Sequence, residues 1–201
     1  MIKLDLGFHG QIDFPEDIVL QHKSEIKEML GVVLFDTELR TVLEIGTWEG
    51  GTAYLWAQLV DRFPEGKVVC VDMEFGSDYK GCPHTWGHHI PPIYQGMPFE
   101  KRITEIRGRS DSPDVVRRVE EILGGREVDF LFIDGDHFGA DRDFKNYSRF
   151  VKVGGWIAFH DANNQDVSCS AYWKEICPKY GGREFFNHAG IGLLQWEGVL
   201  K

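Results

Sequence analysis

Short apolar runs alternate with amphipathic stretches along most of this chain. Residues 15–34 carry Val19, Ile26, Met29, Leu30 and Val33 at helical spacing. Pro15 suits a first helical position, and Glu16 and Asp17 suit the positive end of a helix dipole. A short apolar strand is expected over 41–45. A helix over 52–63 follows, with Leu55, Trp56, Leu59 and Phe63 on one face. Residues 67–71 read as the next strand, ending at Asp72. A weak strand is expected over 102–107. The helix after it is well marked: Ser112 and Pro113 open it, Asp114 complements the dipole, and Val115, Val116, Val119, Ile122 and Leu123 form its stripe up to Gly124. A strand at 128–133, a helix at 139–151, a strand at 155–160 and a helix at 168–177 continue the alternation. Two last strands, near 183–187 and 191–197, have too few residues between them for a crossover helix, so they should pair antiparallel. Strands and helices in this order predict an α/β fold: seven strands, mostly parallel, with an antiparallel final strand and helices on both faces.

One stretch breaks the rhythm. Residues 74–98 are rich in Gly, Pro, His and aromatics and show no period; a loop this long reads as a lid or binding loop. Its Cys82, His84, His88 and His89 invite a zinc reading, but their spacing matches no standard structural motif, and a polar substrate lid is the preferred expectation. Trp86, Tyr94 and Phe99 can help grip an acceptor there or pack on the surface. With 201 residues the chain suits one domain (1–201), comprising an N-terminal helical segment (about 1–38) and a core (about 41–197).

Formal net charge is -10, which argues against binding a nucleic-acid backbone by charge. No apolar run approaches a membrane span, and the N-terminus lacks the apolar stretch of a signal peptide; a soluble, cytoplasmic protein is expected. Cys70, Cys82, Cys169 and Cys177 form no CxxC pair, and Cys70 lies in an apolar run, so no disulfide framework is expected. Oligomeric state stays open, a homo-oligomer included.

Two apolar strands end in acids. Val128–Ile133 runs into Asp134-Gly135-Asp136-His137, and Gly155–Phe159 into His160-Asp161. Open α/β sheets bind ligands at this rim. Neighbouring parallel strands lie about 4.8 Å apart, so if these two are neighbours, Asp134 and Asp161 can reach one cation. Earlier in the chain, Val42-Leu43-Glu44-Ile45-Gly46-Thr47-Trp48-Glu49-Gly50-Gly51-Thr52 is a strand, a glycine turn and a helix start. Gly46 lets the backbone turn sharply beside a ligand, and Asp72 stands where an acid can accept ribose hydroxyls. The nicotinamide fingerprint would need a glycine where Trp48 stands, and no Gly-Lys-Ser/Thr follows, so neither a nicotinamide site nor a P-loop is indicated.

The pattern E-x-G-x-x-x-G with an acidic end to the second strand resembles the class I S-adenosylmethionine-dependent methyltransferases, whose fold is Rossmann-like. Phe132-Ile133-Asp134-Gly135-Asp136-His137, Asp143 and Gly154-Gly155-Trp156-Ile157-Ala158-Phe159-His160-Asp161 are similar to the branch of macrocin O-methyltransferase-like and cephalosporin-hydroxylase-like proteins, related to cation-dependent catechol-type O-methyltransferases. The resemblance runs from about Thr41 to Trp196. It implies that Glu44 braces the turn and the methionine end of the cofactor. Gly46, Thr47 and Gly50, with Trp48 in the same turn, would line the methionine and ribose, Asp72 would hold the ribose hydroxyls, and Ser110 would lie by the adenine. Asp134 would be a divalent-cation ligand and a cofactor contact, Asp161 a second ligand, and His137 the general base.

One departure stands out: relatives often carry two acid or amide ligands where this chain has His160-Asp161. Histidine suits magnesium poorly. The cation is then Mn²⁺, Fe²⁺ or another ion that accepts nitrogen, or His160 turns away and Asn163 or Asn164 completes the site, or the cation binds weakly or not at all. The bland readings are that Asp134 and Asp161 cap strand ends, that His137 caps a helix, and that Asp136 is a solvated or capping acid. The implied function is O-methyl transfer from S-adenosylmethionine, with Mg or Mn assistance, to a small hydroxylated acceptor such as a sugar, phenol or natural product. The alternatives are a cofactor-binding relative without methyl transfer and a metal-dependent hydrolase or oxygenase on a similar sheet.

Overall fold

A computed structural model of the chain describes residues 1–16, 19, 21–73 and 92–200. The chain opens with an antiparallel hairpin, β1 (Ile2–Asp5) and β2 (Gln11–Phe14), followed by α1 (Lys23–Asp36), β3 (Thr41–Ile45), α2 (Gly51–Val60) and β4 (Lys67–Asp72). Next come β5 (Ile103–Arg107), α3 (Pro113–Leu123), β6 (Val128–Ile133), α4 (Ala140–Tyr147), β7 (Val151–His160), α5 (Ser168–Tyr180), β8 (Arg183–Phe185) and β9 (Ile191–Gln195).

The main sheet has seven strands in the order β5-β4-β3-β6-β7-β9-β8. The five strands from β5 to β7 run parallel; β9 is antiparallel to both of its neighbours, β7 and β8. Every residue of β3 and β6 is buried, as a strand covered on both faces requires. On one face α1, α2 and the hairpin pack over Val42, Val68, Cys70, Phe130 and Phe132. On the other, α3, α4 and α5 pack over Leu43, Val69, Leu131, Ile157 and Phe159. The fold class is therefore the Rossmann-like α/β sheet that the pattern predicts. Among the described residues, Cys70, Cys169 and Cys177 are free thiols, and no helix is long and apolar enough to cross a membrane.

The N-terminal expectation needs correcting. The segment is not simply helical: residues 2–5 and 11–14 pair as strands, and α1 begins at Lys23 rather than near 15. Leu4, Ile12 and Phe14 are buried, β2 packs on α2, and Asp13 and Gln58 exchange two hydrogen bonds (2.7 and 2.9 Å) that hold the hairpin to that helix. His22 caps α1 by accepting the backbone N–H of Ser24. Smaller shifts occur elsewhere. β7 starts at Val151, four residues early, because a register irregularity against β6 extends the pairing. Ser112 sits at the cap position of α3, but its side chain makes no capping hydrogen bond. Residues 92–98 form turns, whereas Cys82, His84, Trp86, His88 and His89 fall outside the described residues.

Candidate active site at the carboxyl edge of the sheet

β3, β6 and β7 lie side by side and in register, so their ends deliver the glycine turn, Asp134 and His160-Asp161 to one rim. Gly46, at φ +89°, packs so tightly on the next strand that a β-carbon there would lie 2.0 Å from the Asp134 carbonyl oxygen. The first strand–helix turn and the acidic strand end are thus in direct backbone contact, and the Asp134 N–H donates to the Ile45 carbonyl (2.8 Å).

Asp134, His160 and Asp161 each bring one donor atom within 4.8 Å of the others, the one such group among the described residues. His160 Nδ1 lies 2.8 Å from Asp134 Oδ1 and 3.6 Å from Asp161 Oδ2. His137 Nδ1 lies 2.7 Å from Asp161 Oδ2, and Asn164 Nδ2 donates to Asp161 Oδ1 (3.1 Å). Asp161 adopts φ +58°, a left-handed conformation uncommon for a residue with a side chain. Asp136 instead accepts from Phe138 N–H and pairs with Arg142 (2.8 Å), the capping role of the bland reading.

Electrostatics follow from this packing. The hydrogen bond from His137 to Asp161 raises the imidazole above its ordinary value against the opposing effect of burial, and the charges of Asp161 and Asp134 add to it. Burial disfavours charge on His160, but the carboxylates of Asp134, Asp161 and Glu25 outweigh it and hold the ring protonated above its usual range. Asp161 is held low because the His137 hydrogen bond, His160 and Asn164 overcome its burial. Two oxygens and a nitrogen within one coordination radius fit a divalent ion that accepts nitrogen better than they fit magnesium, which favours oxygen donors alone.

The glycine turn is less open than its sequence suggests. Trp48 takes φ +46°, and its backbone N–H bonds the Asp72 carboxylate, which also accepts from Met73 N–H (2.8 Å) and faces Arg107 at 3.4 Å. Burial still pushes Asp72 up to about 6, with those partners pulling down and Glu105 adding to the rise. Thr47 is buried. Gly50, at φ +81°, is the cap residue just before α2, and the Tyr94 ring fills the place of its missing side chain, 2.5 Å from where a β-carbon would sit. Glu44 is fully buried beneath the turn, held by Trp56 Nε1 (3.1 Å), and burial lifts it to about 8 although its hydrogen bonds oppose this. Ser110 turns inward: its carbonyl accepts the Tyr147 hydroxyl (2.7 Å), and its side chain bonds Asp143, a buried acid raised to about 7.

Sequence reasoning missed two residues. Gln21 Nε2 donates a short hydrogen bond to Asp134 Oδ2, and Glu25, on the first turn of α1, is fully buried and accepts from the N–H groups of Asn187 and His188 (2.7 and 2.5 Å). Neither belongs to a motif. Glu25 carries a faint signal, since a charged residue four positions before Met29 falls on the face of the buried stripe Ile26-Met29-Leu30-Val33.

Solved structures share this architecture at low identity. The O-methyltransferase TomG from Streptomyces achromogenes, solved with SAM, is similar at TM-score 0.65 and 14% identity, over 90% of this chain and 83% of that one. Cofactor-bound Rv0187 from MTB is similar at TM-score 0.63 and 16% identity, again over 90% and 83%. The methyltransferase MycE of the mycinamycin biosynthetic pathway, solved with Mg and SAH, is similar at TM-score 0.59 and 17% identity; 98% of this chain covers 55% of that one. These likenesses establish the fold. A family model described as a methyltransferase domain matches residues 43–162, more than half of the chain, spanning the glycine turn, Asp134, His137, His160 and Asp161, and the chain accordingly belongs to the methyltransferase domain family.

Proposed function

We propose that the protein is an S-adenosylmethionine-dependent O-methyltransferase, assisted by a divalent cation, acting on a small hydroxylated acceptor. The observation that carries this reading is the convergence of Asp134, His160 and Asp161 beside a glycine turn that abuts Asp134 through its own backbone. S-adenosylmethionine supplies an electrophilic methyl group on a sulfonium. A divalent cation held by Asp134, Asp161 and the imidazole of His160 supplies a positive charge that favours the deprotonated acceptor oxygen.

The chain's own groups do the rest. Gly46 gives the turn its close approach; Asp72, at the end of β4, and Ser110, in the loop after β5, are the expected ribose and adenine contacts. Asp161 fixes the His137 ring: with Nδ1 donating to the carboxylate, the lone pair is on Nε2, the tautomer a general base needs. His137 then takes the acceptor's hydroxyl proton as the new oxygen–carbon bond forms and the sulfur–carbon bond breaks. Correct placement of the two reactants is the main service of such a site, worth several kcal/mol.

The similar structures support the reading, since TomG is an O-methyltransferase solved with SAM and MycE was solved with Mg and SAH. The test is transfer of labelled methyl from S-adenosylmethionine to a broad panel of sugars, phenols and hydroxylated natural products, with Mg²⁺, Mn²⁺ or chelator. Labelled ether products that need the metal are expected. Absence of transfer across the panel, or S-adenosylhomocysteine failing to bind, sinks the reading.

A further inference from the structure

α1 and the residues just before it bring two polar side chains to the rim whose hydrogen-bonding capacity is only half used. Gln21 is 5% exposed and Glu25 is 0% exposed. Gln21 spends its amide nitrogen on Asp134, and its Oε1 has no partner among the described residues. Glu25 spends Oε1 on two backbone N–H groups, and its Oε2 has none. A third buried atom in the same state is His160 Nε2, the far side of the ring that holds Asp134. Folded proteins rarely leave such atoms unsatisfied, and a carboxylate oxygen least of all. Two of the three meet at one residue: Gln21 and His160 both bond Asp134. The 187–188 backbone that Glu25 holds leads into Ala189, whose carbonyl accepts Asn163 N–H (2.8 Å), two residues beyond Asp161.

The chemistry of the missing partner follows from the atoms. Gln21 Oε1 and Glu25 Oε2 accept only, so they need hydrogen-bond donors; His160 Nε2 accepts or donates according to the protonation of its ring. A hydroxyl serves both kinds, and an ammonium serves the two oxygens. A carboxylate or phosphate accepts from a protonated His160 but donates nothing to the two oxygens, and it meets Glu25, Asp134 and Asp161 as like charges.

Resting on the methyltransferase reading, we propose that Gln21, Glu25 and His160 form the acceptor-recognising wall of the site, and that this wall selects a polyol or amino-polyol bearing no anionic group. The sequence segment that sets specificity is then the one running from Gln21 into the first turn of α1, joined to the cation site through His160.

The experiment is saturation-transfer NMR on the full chain loaded with S-adenosylhomocysteine and Mg²⁺. Three probes share one ring and differ in charge: D-glucosamine, D-glucose and D-glucuronate. Glucosamine and glucose are expected to show contact and glucuronate none. Gln21→Leu and Glu25→Gln are expected to weaken glucosamine binding at least about tenfold, the scale of one lost hydrogen bond to a charged group. Glu25→Gln keeps an oxygen for the Asn187 and His188 N–H groups, so its melting temperature should stay near that of the parent. Glucuronate binding as well as glucose, none of the three binding, or unchanged binding in both variants overturns the inference. Calorimetric titration with S-adenosylhomocysteine separates the two levels: its failure removes the methyltransferase reading itself, whereas its success with the wrong probe order removes only the assignment of this wall.

Discussion

His160 Nδ1 stands 2.8 Å from Asp134 Oδ1, each residue at the end of one of two adjacent parallel strands. A ring nitrogen therefore sits among the carboxylate oxygens of Asp134 and Asp161. Manganese should bind more tightly than magnesium in calorimetric titrations of the apoprotein. His160→Asp should reverse that order, shifting the preference toward magnesium by about tenfold or more because that ion favours oxygen ligands. An unchanged preference would show that His160 lies outside the coordination sphere.

His137→Ala should lower turnover by about 10²- to 10⁴-fold, the usual contribution of a positioned base. Affinity for S-adenosylhomocysteine should change little, because the ring contacts Asp161 rather than the glycine turn. Comparable losses in both quantities would assign His137 a structural role.

The pairing with Asp161 makes a separate claim about pH. Asp161 raises the His137 pKa above its ordinary 6.5, so base function should grow in as pH climbs past a midpoint higher than that value. In Asp161→Asn the His137 midpoint should fall, which NMR titration of the ring protons measures directly without any turnover.

Glu44 offers a stability test. Burial raises its pKa from 4.5 to about 8. The folded chain thus binds this proton more tightly than the unfolded chain does. The associated stabilisation is complete below 4.5 and is lost as pH rises through about 8, a change on the order of 5 kcal/mol. The parent should lose thermal stability between pH 5 and pH 9 more steeply than Glu44→Gln. Parallel curves would place Glu44's proton elsewhere.

Gly46→Ala should cost more than about 3 kcal/mol in urea unfolding, since a methyl group there collides with the Asp134 carbonyl at a left-handed φ. Gly96→Ala, at φ +75° with nothing within 4 Å, is the control and should cost only about 1 kcal/mol.

Much of this site can be read along the chain because its residues end apolar strands. Phe130–Ile133 is an unbroken apolar run that stops at an acid, and it forms the inner part of the strand Val128–Ile133. Pro113 and Gly124 bracket α3 as helix chemistry dictates. The hairpin was hidden because β1 and β2 are four residues each, too short for alternation to stand out beside the helix-like opening at Pro15-Glu16. Gln21 was hidden for a different reason. Its partner lies 113 positions away, and a lone glutamine before a helix has no local pattern to mark it. The covering of Gly50 by Tyr94 is likewise tertiary: spacing reveals the glycine but not the ring that fills its place.

The stretch joining the hairpin to α1 is anchored at both ends, by the Asp13–Gln58 exchange on one side and by the Glu25 bonds to the 187–188 backbone on the other. Neither anchor draws on the seven-stranded sheet's own hydrogen-bond ladder. On the proposed acceptor wall of Gln21 and Glu25, lengthening or shortening the connection between these anchors by a residue or two would reshape that wall while sparing His137 and Asp72, which makes it the natural place to graft new selectivity onto the scaffold.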